Sequence, residues 1–165
     1  MPPTPCQKAM NEPILHIALF NPEIPQNTGN IGRLSLGIGA RLHIIKPIGF
    51  SLSEKAVRRA GLDYWKHVDL QVHNNWEEFV DWAEDRQMIL MSTKASKHIN
   101  ELAAKPNCIL LFGPETKGLT GTLREQYGCY KIPMKNQIRS YNLSNSVAIA
   151  SYFVLQSLKV EWGAQ

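Results

Sequence analysis

Residues 19–34 read LFNPEIPQNTGNIGRL. To their left, Ile14 to Phe20 is a compact apolar run, the mark of a buried strand. In the middle, Asn21 to Asn30 is rich in Pro, Asn and Gly, which predicts a loop. To the right, Ile31 to Gly39 has apolar residues at helical spacing and ends in Gly37 and Gly39, which suit a helix terminus. A strand, a polar loop and a helix in that order form the building unit of an α/β protein.

The alternation continues outward. Arg41 to Ile45 reads as a strand stopped by Pro47. Ser53 can cap a short helix with Lys55, Arg58 and Arg59 on its exposed side. Val68 to Val72 reads as a strand, Trp76 to Glu84 as an amphipathic helix, and Met88 to Ser92 and Asn107 to Phe112 as strands. Leu119 to Gln126 predicts a helix and Tyr130 to Met134 a short last strand. Leu143 to Val160 predicts a final helix with Val147, Ala150, Val154, Leu155 and Leu158 along one stripe. The expected fold is a single α/β domain, residues 14–165, with a mainly parallel sheet flanked by helices. Residues 1–13 read as a flexible tail.

The chain has 165 residues, enough for one well-buried core. It carries 18 basic and 14 acidic residues, a formal charge of +4, which is compatible with a nucleic-acid partner. Cys6, Cys108 and Cys129 form no CxxC pair, which argues against a zinc knuckle or a redox motif. The five histidines show no metal spacing. His16 and His43 fall within predicted strands and read as core residues. No signal peptide is visible, and the apolar runs are far shorter than the roughly 20 residues that span a bilayer. These features predict a cytoplasmic protein with no membrane partner.

In parallel sheets, ligands bind beyond the C-terminal ends of strands. Three loops therefore carry the candidate chemistry. The first holds Asn27, Gly29, Asn30 and Gly32, with Arg33 one turn into the following helix. A dinucleotide fingerprint is absent, since Gly37-Ile38-Gly39 is followed by Leu42 where a third glycine is needed, and so is a Walker phosphate loop. The second, Gly113-Pro114-Glu115-Thr116-Lys117-Gly118, sets a carboxylate and an ammonium directly after a buried strand. A salt-bridged turn is the plain alternative. The third runs from Ile132-Pro133-Met134 through Arg139-Ser140-Tyr141-Asn142-Leu143-Ser144-Asn145. Asn142 or Ser144 could cap the last helix, but the cluster supplies more neutral donors and acceptors than one cap requires. Arg41, Arg58, Arg59, Lys66 and Lys94 could attract phosphates, and Tyr64, Trp65 and Tyr141 could stack on bases. Solvated charges and core aromatics remain the simpler readings.

With these stretches in hand, the chain resembles the SPOUT family of RNA methyltransferases. It is most similar there to the TrmL group (also called YibK), tRNA (cytidine/uridine wobble-position) 2′-O-methyltransferases. The resemblance rests on LFNPEIPQNTGNIGRL, RLHIIKPIGF, RRAGLDYW, LLFGPETKGL, and IPM followed by RSYNLSNSVA, in that order. It runs from Ile14 to about Val160. It implies a deep C-terminal trefoil knot, which general folding rules would not suggest. It also implies a homodimer, tRNA as substrate with leucine tRNAs among the targets, and S-adenosylmethionine as cofactor, leaving S-adenosylhomocysteine, without a metal. By position, Met91, Gly113, Ile132, Ser140 and Leu143 would hold the cofactor. Arg33, Asn30, Glu115, Ser144 and Asn145 would be the polar active-site residues. Tyr152, Arg139 and Asn27 would serve dimer or substrate contacts. Arginine is essentially never deprotonated, so Arg33 fits a phosphate grip better than a general base. Lys117 stands where the family commonly has Arg, and Asn136-Gln137-Ile138 departs from a more polar stretch. Competing readings are a ribose methyltransferase for another tRNA or rRNA site, a non-catalytic RNA-binding module of the same fold, and an unrelated nucleotide-binding protein.

Overall fold

The structure is a computed structural model that describes residues 12–53 and 63–163. Its strands are β1 (Leu15–Phe20), β2 (Arg41–Ile45), β3 (Leu70–His73), β4 (Met88–Met91), β5 (Lys97–His98), β6 (Cys108–Phe112) and β7 (Gly128–Lys131). Its α-helices are α1 (Pro25–Ile38), α2 (Trp76–Ala83), α3 (Gly121–Gln126) and α4 (Leu143–Ser157). The strands form one sheet in the order β3-β2-β1-β6-β4-β7-β5. Every neighbouring pair is parallel.

Strand alternation sorts side chains onto two faces. Leu15, Ile17 and Leu19 of β1 join Leu42, Ile44, Leu110 and Phe112 on one face, under Ile31 of α1 and Val147, Ala150 and Val154 of α4. Ala18, Ile45, Leu90, Ile109 and Leu111 face the other way, onto Phe79 and Ala83 of α2. A sheet covered on both sides explains why its central strands are apolar at successive positions rather than alternating.

The second face also carries a row of histidines. His16 Nδ1 lies 3.0 Å from His43 Nε2, and His43 Nδ1 lies 3.0 Å from His73 Nε2. All three side chains are buried. Trp82 packs across the rings, 4.1 Å from His43 between centroids. His16 Nε2 meets Asn107 Oδ1 at 2.6 Å, and that oxygen can only accept. One tautomer chain satisfies the row: each Nε2–H donates and each Nδ1 on His16 and His43 accepts. Burial pushes His16 down to about 4 and His43 down to about 2. The expectation of core histidines is met, in the form of a hydrogen-bonded set that ties three adjacent strands.

Arg41–Ile45 matches the sequence reading residue for residue, and β1, α2, β4 and β6 match to within a residue at either end. The largest correction falls on Asn21–Asn30. Its last six residues are helix, because α1 begins at Pro25. Proline suits the first helical position, where its fixed φ is preset and no N–H is needed. The helical Gly29 and Gly32 are buried where the backbone must pack closely. An ideal Cβ on Gly32 would stand 2.4 Å from the Trp65 ring, and Tyr64 Oη donates to the Gly29 carbonyl at 2.8 Å. Both aromatics thus brace α1. Gly39 closes that helix in the left-handed region at φ 70°. Strand β7 (Gly128–Lys131) overlaps the predicted Tyr130–Met134 span but starts and stops earlier, α4 stops at Ser157, and the two-residue edge strand β5 had no sequence signal. Of the expected tail, Glu12 is anchored by Arg86 at 3.1 Å. Residues 1–11, with Cys6, and the helix expected after Ser53, with Lys55, Arg58 and Arg59, lie outside the described residues.

Candidate functional site

Strands β4, β6 and β7 end side by side, and a cavity of about 560 Å³ opens beyond Met91, Phe112 and Ile132. That volume suits a nucleoside-sized ligand. Apolar walls come from Met91, Phe112, Leu119, Ile132, Met134 and Leu143, and neutral polar groups from Ser92, Thr93, Ser140, Asn142 and Ser146. All five residues expected to hold a cofactor line it: Met91, Gly113, Ile132, Ser140 and Leu143. So do Asn27, Glu115 and Arg139. The lining is less neutral than the loops suggested, since Lys94, Lys117 and Arg139 add exposed cations at the mouth.

Three chain segments meet here through one buried side chain. Asn27 of α1 donates to Glu115 Oε1 at 3.2 Å, and its Oδ1 accepts from Asn142 Nδ2 at 3.0 Å. The Glu115 carboxylate also accepts the backbone N–H of Glu23 at 2.7 Å and of Ile24 at 3.0 Å. Ile24 is the N-cap residue of α1 and offers no side-chain cap, so Glu115 caps that helix from 91 residues away in the chain. A carboxylate favours this end of a helix. Glu23 returns the contact, accepting from Thr116 Oγ1 at 2.7 Å. Asn142 meanwhile caps α4, its Oδ1 accepting from the N–H groups of Ser144 at 2.9 Å and Asn145 at 3.3 Å. The capping reading of Asn142 holds, with its oxygen used for the cap and its nitrogen for the link to Asn27.

Gly113 sits where the second loop folds on itself. An ideal Cβ there would stand 2.4 Å from the Gly118 carbonyl carbon and 2.5 Å from the Leu119 nitrogen. Both are backbone atoms, so no rotamer could relieve the contact, and only glycine permits the curve of the cavity wall. Gly118 supports the same turn at φ 64°.

The remaining site residues sit elsewhere. Asn30 and Arg33 are exposed on α1, Asn145 is exposed on α4, and Ser144 is half-buried, donating to Asn142 Oδ1 at 2.6 Å. None of these four lines the cavity. With α1 beginning at Pro25, Arg33 stands in its third turn rather than its first. Tyr152 is 62% exposed and Ile149 is 45% exposed on α4. With Asn145 they form an exposed stripe at i, i+4 and i+7. Tyr141 is tied down, its hydroxyl donating to the Pro133 carbonyl at 2.8 Å. Arg41 is paired with Asp69 at 2.9 Å. Sequence reasoning missed Glu23 and Thr116, whose partners lie more than ninety residues away. No group of three or more potential metal ligands occurs among the described residues. Nor is any helix there long and apolar enough to cross a membrane.

Residues 14–152 match the SpoU rRNA Methylase family. The tRNA (cytidine(34)-2′-O)-methyltransferase of Methylovorus glucosotrophus is 45% identical over 139 residues, covering 82% of this chain and 90% of that protein. A solved structure described as giving insights into 2-OH methylation of C/U34 on tRNA superposes with a TM-score of 0.84 at 38% identity, covering 88% of this chain and 96% of that one. The SpoU methyltransferase AviRb of Streptomyces viridochromogenes, in complex with AdoMet, has a TM-score of 0.78 at 21% identity, covering 90% of this chain and 62% of that one, a likeness of fold.

Proposed function

This chain belongs to the SpoU rRNA Methylase family, and from that premise we propose that it methylates the ribose 2′-hydroxyl of the wobble nucleotide, cytidine or modified uridine, in tRNA. S-adenosylmethionine is the methyl donor. The observation that carries the reading is the cavity of about 560 Å³ at the ends of β4, β6 and β7, lined by all five residues that the resemblance nominates for the cofactor. The agreement of the relatives on position 34 supports the choice of nucleotide.

The cavity fits this cofactor on its own terms. Met91, Ile132 and Leu143 offer apolar surface for a purine, Ser140 and its neighbours offer neutral hydrogen bonds, and Gly113 lets its loop close on the Gly118–Leu119 backbone to shape the wall. Lys94, Lys117 and Arg139 at the mouth suit a carboxylate. Bound there, S-adenosylmethionine supplies a methyl group activated by a sulfonium charge. The ribose 2′-oxygen would accept that methyl group and its hydroxyl would give up a proton. What the chain contributes is chiefly position, which can be worth on the order of 7–11 kcal/mol.

Arg33, with Asn30, Ser144 and Asn145, stands outside the cavity of its own chain. A homodimer built on the exposed α4 stripe of Asn145, Ile149 and Tyr152 would unite both sets. There Arg33 grips the phosphate beside the target ribose through its guanidinium fork and favours the developing alkoxide. The C-terminal third threads as a trefoil knot, a reading supported by β6 inserting between β1 and β4 and β7 between β4 and β5. Pulled out by its ends, a knotted chain reaches less than its full contour length, and an unknotted one reaches all of it.

The test is site-resolved mapping of 2′-O-methyl groups in unmodified tRNA incubated with the protein and S-adenosylmethionine. The expected product carries one new methyl, at nucleotide 34, with leucine tRNAs among those labelled. Labelling at another nucleotide, or of rRNA alone, overturns the reading. For Arg33, the Arg33→Lys variant should be slow, and a wild-type rate would dismiss the forked contact.

A further inference from the structure

Next to the cofactor cavity lies a second hollow of about 330 Å³, between edge strand β5 and the α3–β7 corner. Lys94 lines both. We propose that this hollow binds a backbone phosphodiester of the substrate RNA, held by Lys94, Lys97 and Arg124. The inference rests on the reading above, that the substrate is RNA, and adds a site that reading does not contain.

The charges are unbalanced in the required direction. Lys94, Lys97 and Arg124 stand against Glu125 alone, which leaves a net of three minus one, or +2, around a single hollow. None of the ion pairs found among the described residues engages these three cations. Arg124 is built into the wall: its Nε is buried and has no hydrogen-bond partner. A buried unpaired donor on a cation is costly, so a ligand that completes it has something to gain. Lys97 projects from the sheet edge with its Nζ 6.0 Å from the centre of the Tyr130 ring. A forked guanidinium can donate to both non-bridging oxygens of a phosphodiester, and the two flanking ammonium groups add charge of the attracting sign. The edge position of β5 leaves the hollow open to a long polymer.

The experiment measures binding of an anticodon stem-loop RNA by fluorescence anisotropy across a salt series, alongside calorimetric binding of S-adenosylmethionine. The proteins are wild type, Lys97→Glu, Arg124→Gln, Arg124→Lys and a control, Lys105→Glu, whose exposed lysine lies in the loop before β6. Lys97→Glu and Arg124→Gln should weaken RNA binding about tenfold and flatten the slope of log K against log salt by about one, the signature of a lost phosphate contact. Cofactor binding stays within twofold, Arg124→Lys recovers part of the loss, and Lys105→Glu changes the RNA affinity by less than twofold. RNA affinity and salt slope unchanged in Lys97→Glu would overturn the proposal, as would an equal loss in Lys105→Glu. If instead the wild type methylates no tRNA, the functional reading falls; if it methylates tRNA and Lys97→Glu matches it in RNA affinity, only this inference falls.

Discussion

The His16–His43–His73 row and the Glu115–Asn27–Asn142 chain each link three polar residues, yet they do different work. The row begins at the N-terminal ends of β1 and β6, is fully buried under Trp82, and joins neighbouring strands separated by about 30 residues. The chain sits beyond the C-terminal ends of β4 and β6, on the rim of a cavity, and joins segments 88 and 115 residues apart. One sets how strands lie against each other. The other sets where loops converge. Stability and ligand binding should therefore separate, and each prediction below presses on that separation.

Acid should act on the row first. Both His16 and His43 titrate below their usual value of 6.5 in the fold because burial disfavours their charged forms. The unfolded chain binds those protons first, so stability is fully present above pH 6.5 and is lost as pH falls below it. Between pH 6.5 and 5 the loss should be about 1.6 kcal/mol per histidine, roughly 3.3 kcal/mol together. Urea unfolding at a series of pH values reads it, and a flat profile over that window would dissolve the row as a neutral network.

His43→Leu is the next largest. It strands His16 Nδ1 and His73 Nε2 together and should cost about 3 kcal/mol. Cofactor affinity at the far end of the strands should stay within twofold by calorimetry, and a large loss there would show that the two regions are coupled.

At the cavity the order reverses. Gly113→Ala forces a Cβ onto the Gly118 and Leu119 backbone, and cofactor affinity should fall about 100-fold, or about 2.7 kcal/mol. Glu115→Gln keeps the shape of the side chain but removes the charge that caps α1, and should lower cofactor affinity about tenfold, or about 1.4 kcal/mol. In both variants the loss of stability on acidification should persist, because the row is intact.

The same contrast explains what could be read from the sequence. Strands such as Arg41–Ile45 were legible because burial on both faces writes an apolar run into a few consecutive residues. His16 and His43 fell on those runs, so their place in the core followed, though the hydrogen bonds between them did not. The start of α1 was illegible for a physical reason. Pro25, Asn27, Gly29 and Asn30 favour turns locally, and what holds them helical is a remote carboxylate on Glu115 and the rings of Tyr64 and Trp65. The cavity lining at Met91, Gly113, Ile132, Ser140 and Leu143 came from the motifs and the resemblance they carry; spacing alone indicated only which loops to inspect. Glu23, Thr116 and Arg124 carried no local signal, since their roles arise from contacts or hollows made by folding.

The claim that three distant segments build one cofactor cavity is tested most directly by calorimetric titration of the folded protein with S-adenosylmethionine and with S-adenosylhomocysteine. Saturable heat with one site per chain, weakened about 100-fold in Gly113→Ala but retained in His43→Leu, is the predicted result. A folded wild-type protein that gives no heat with either compound would contradict it.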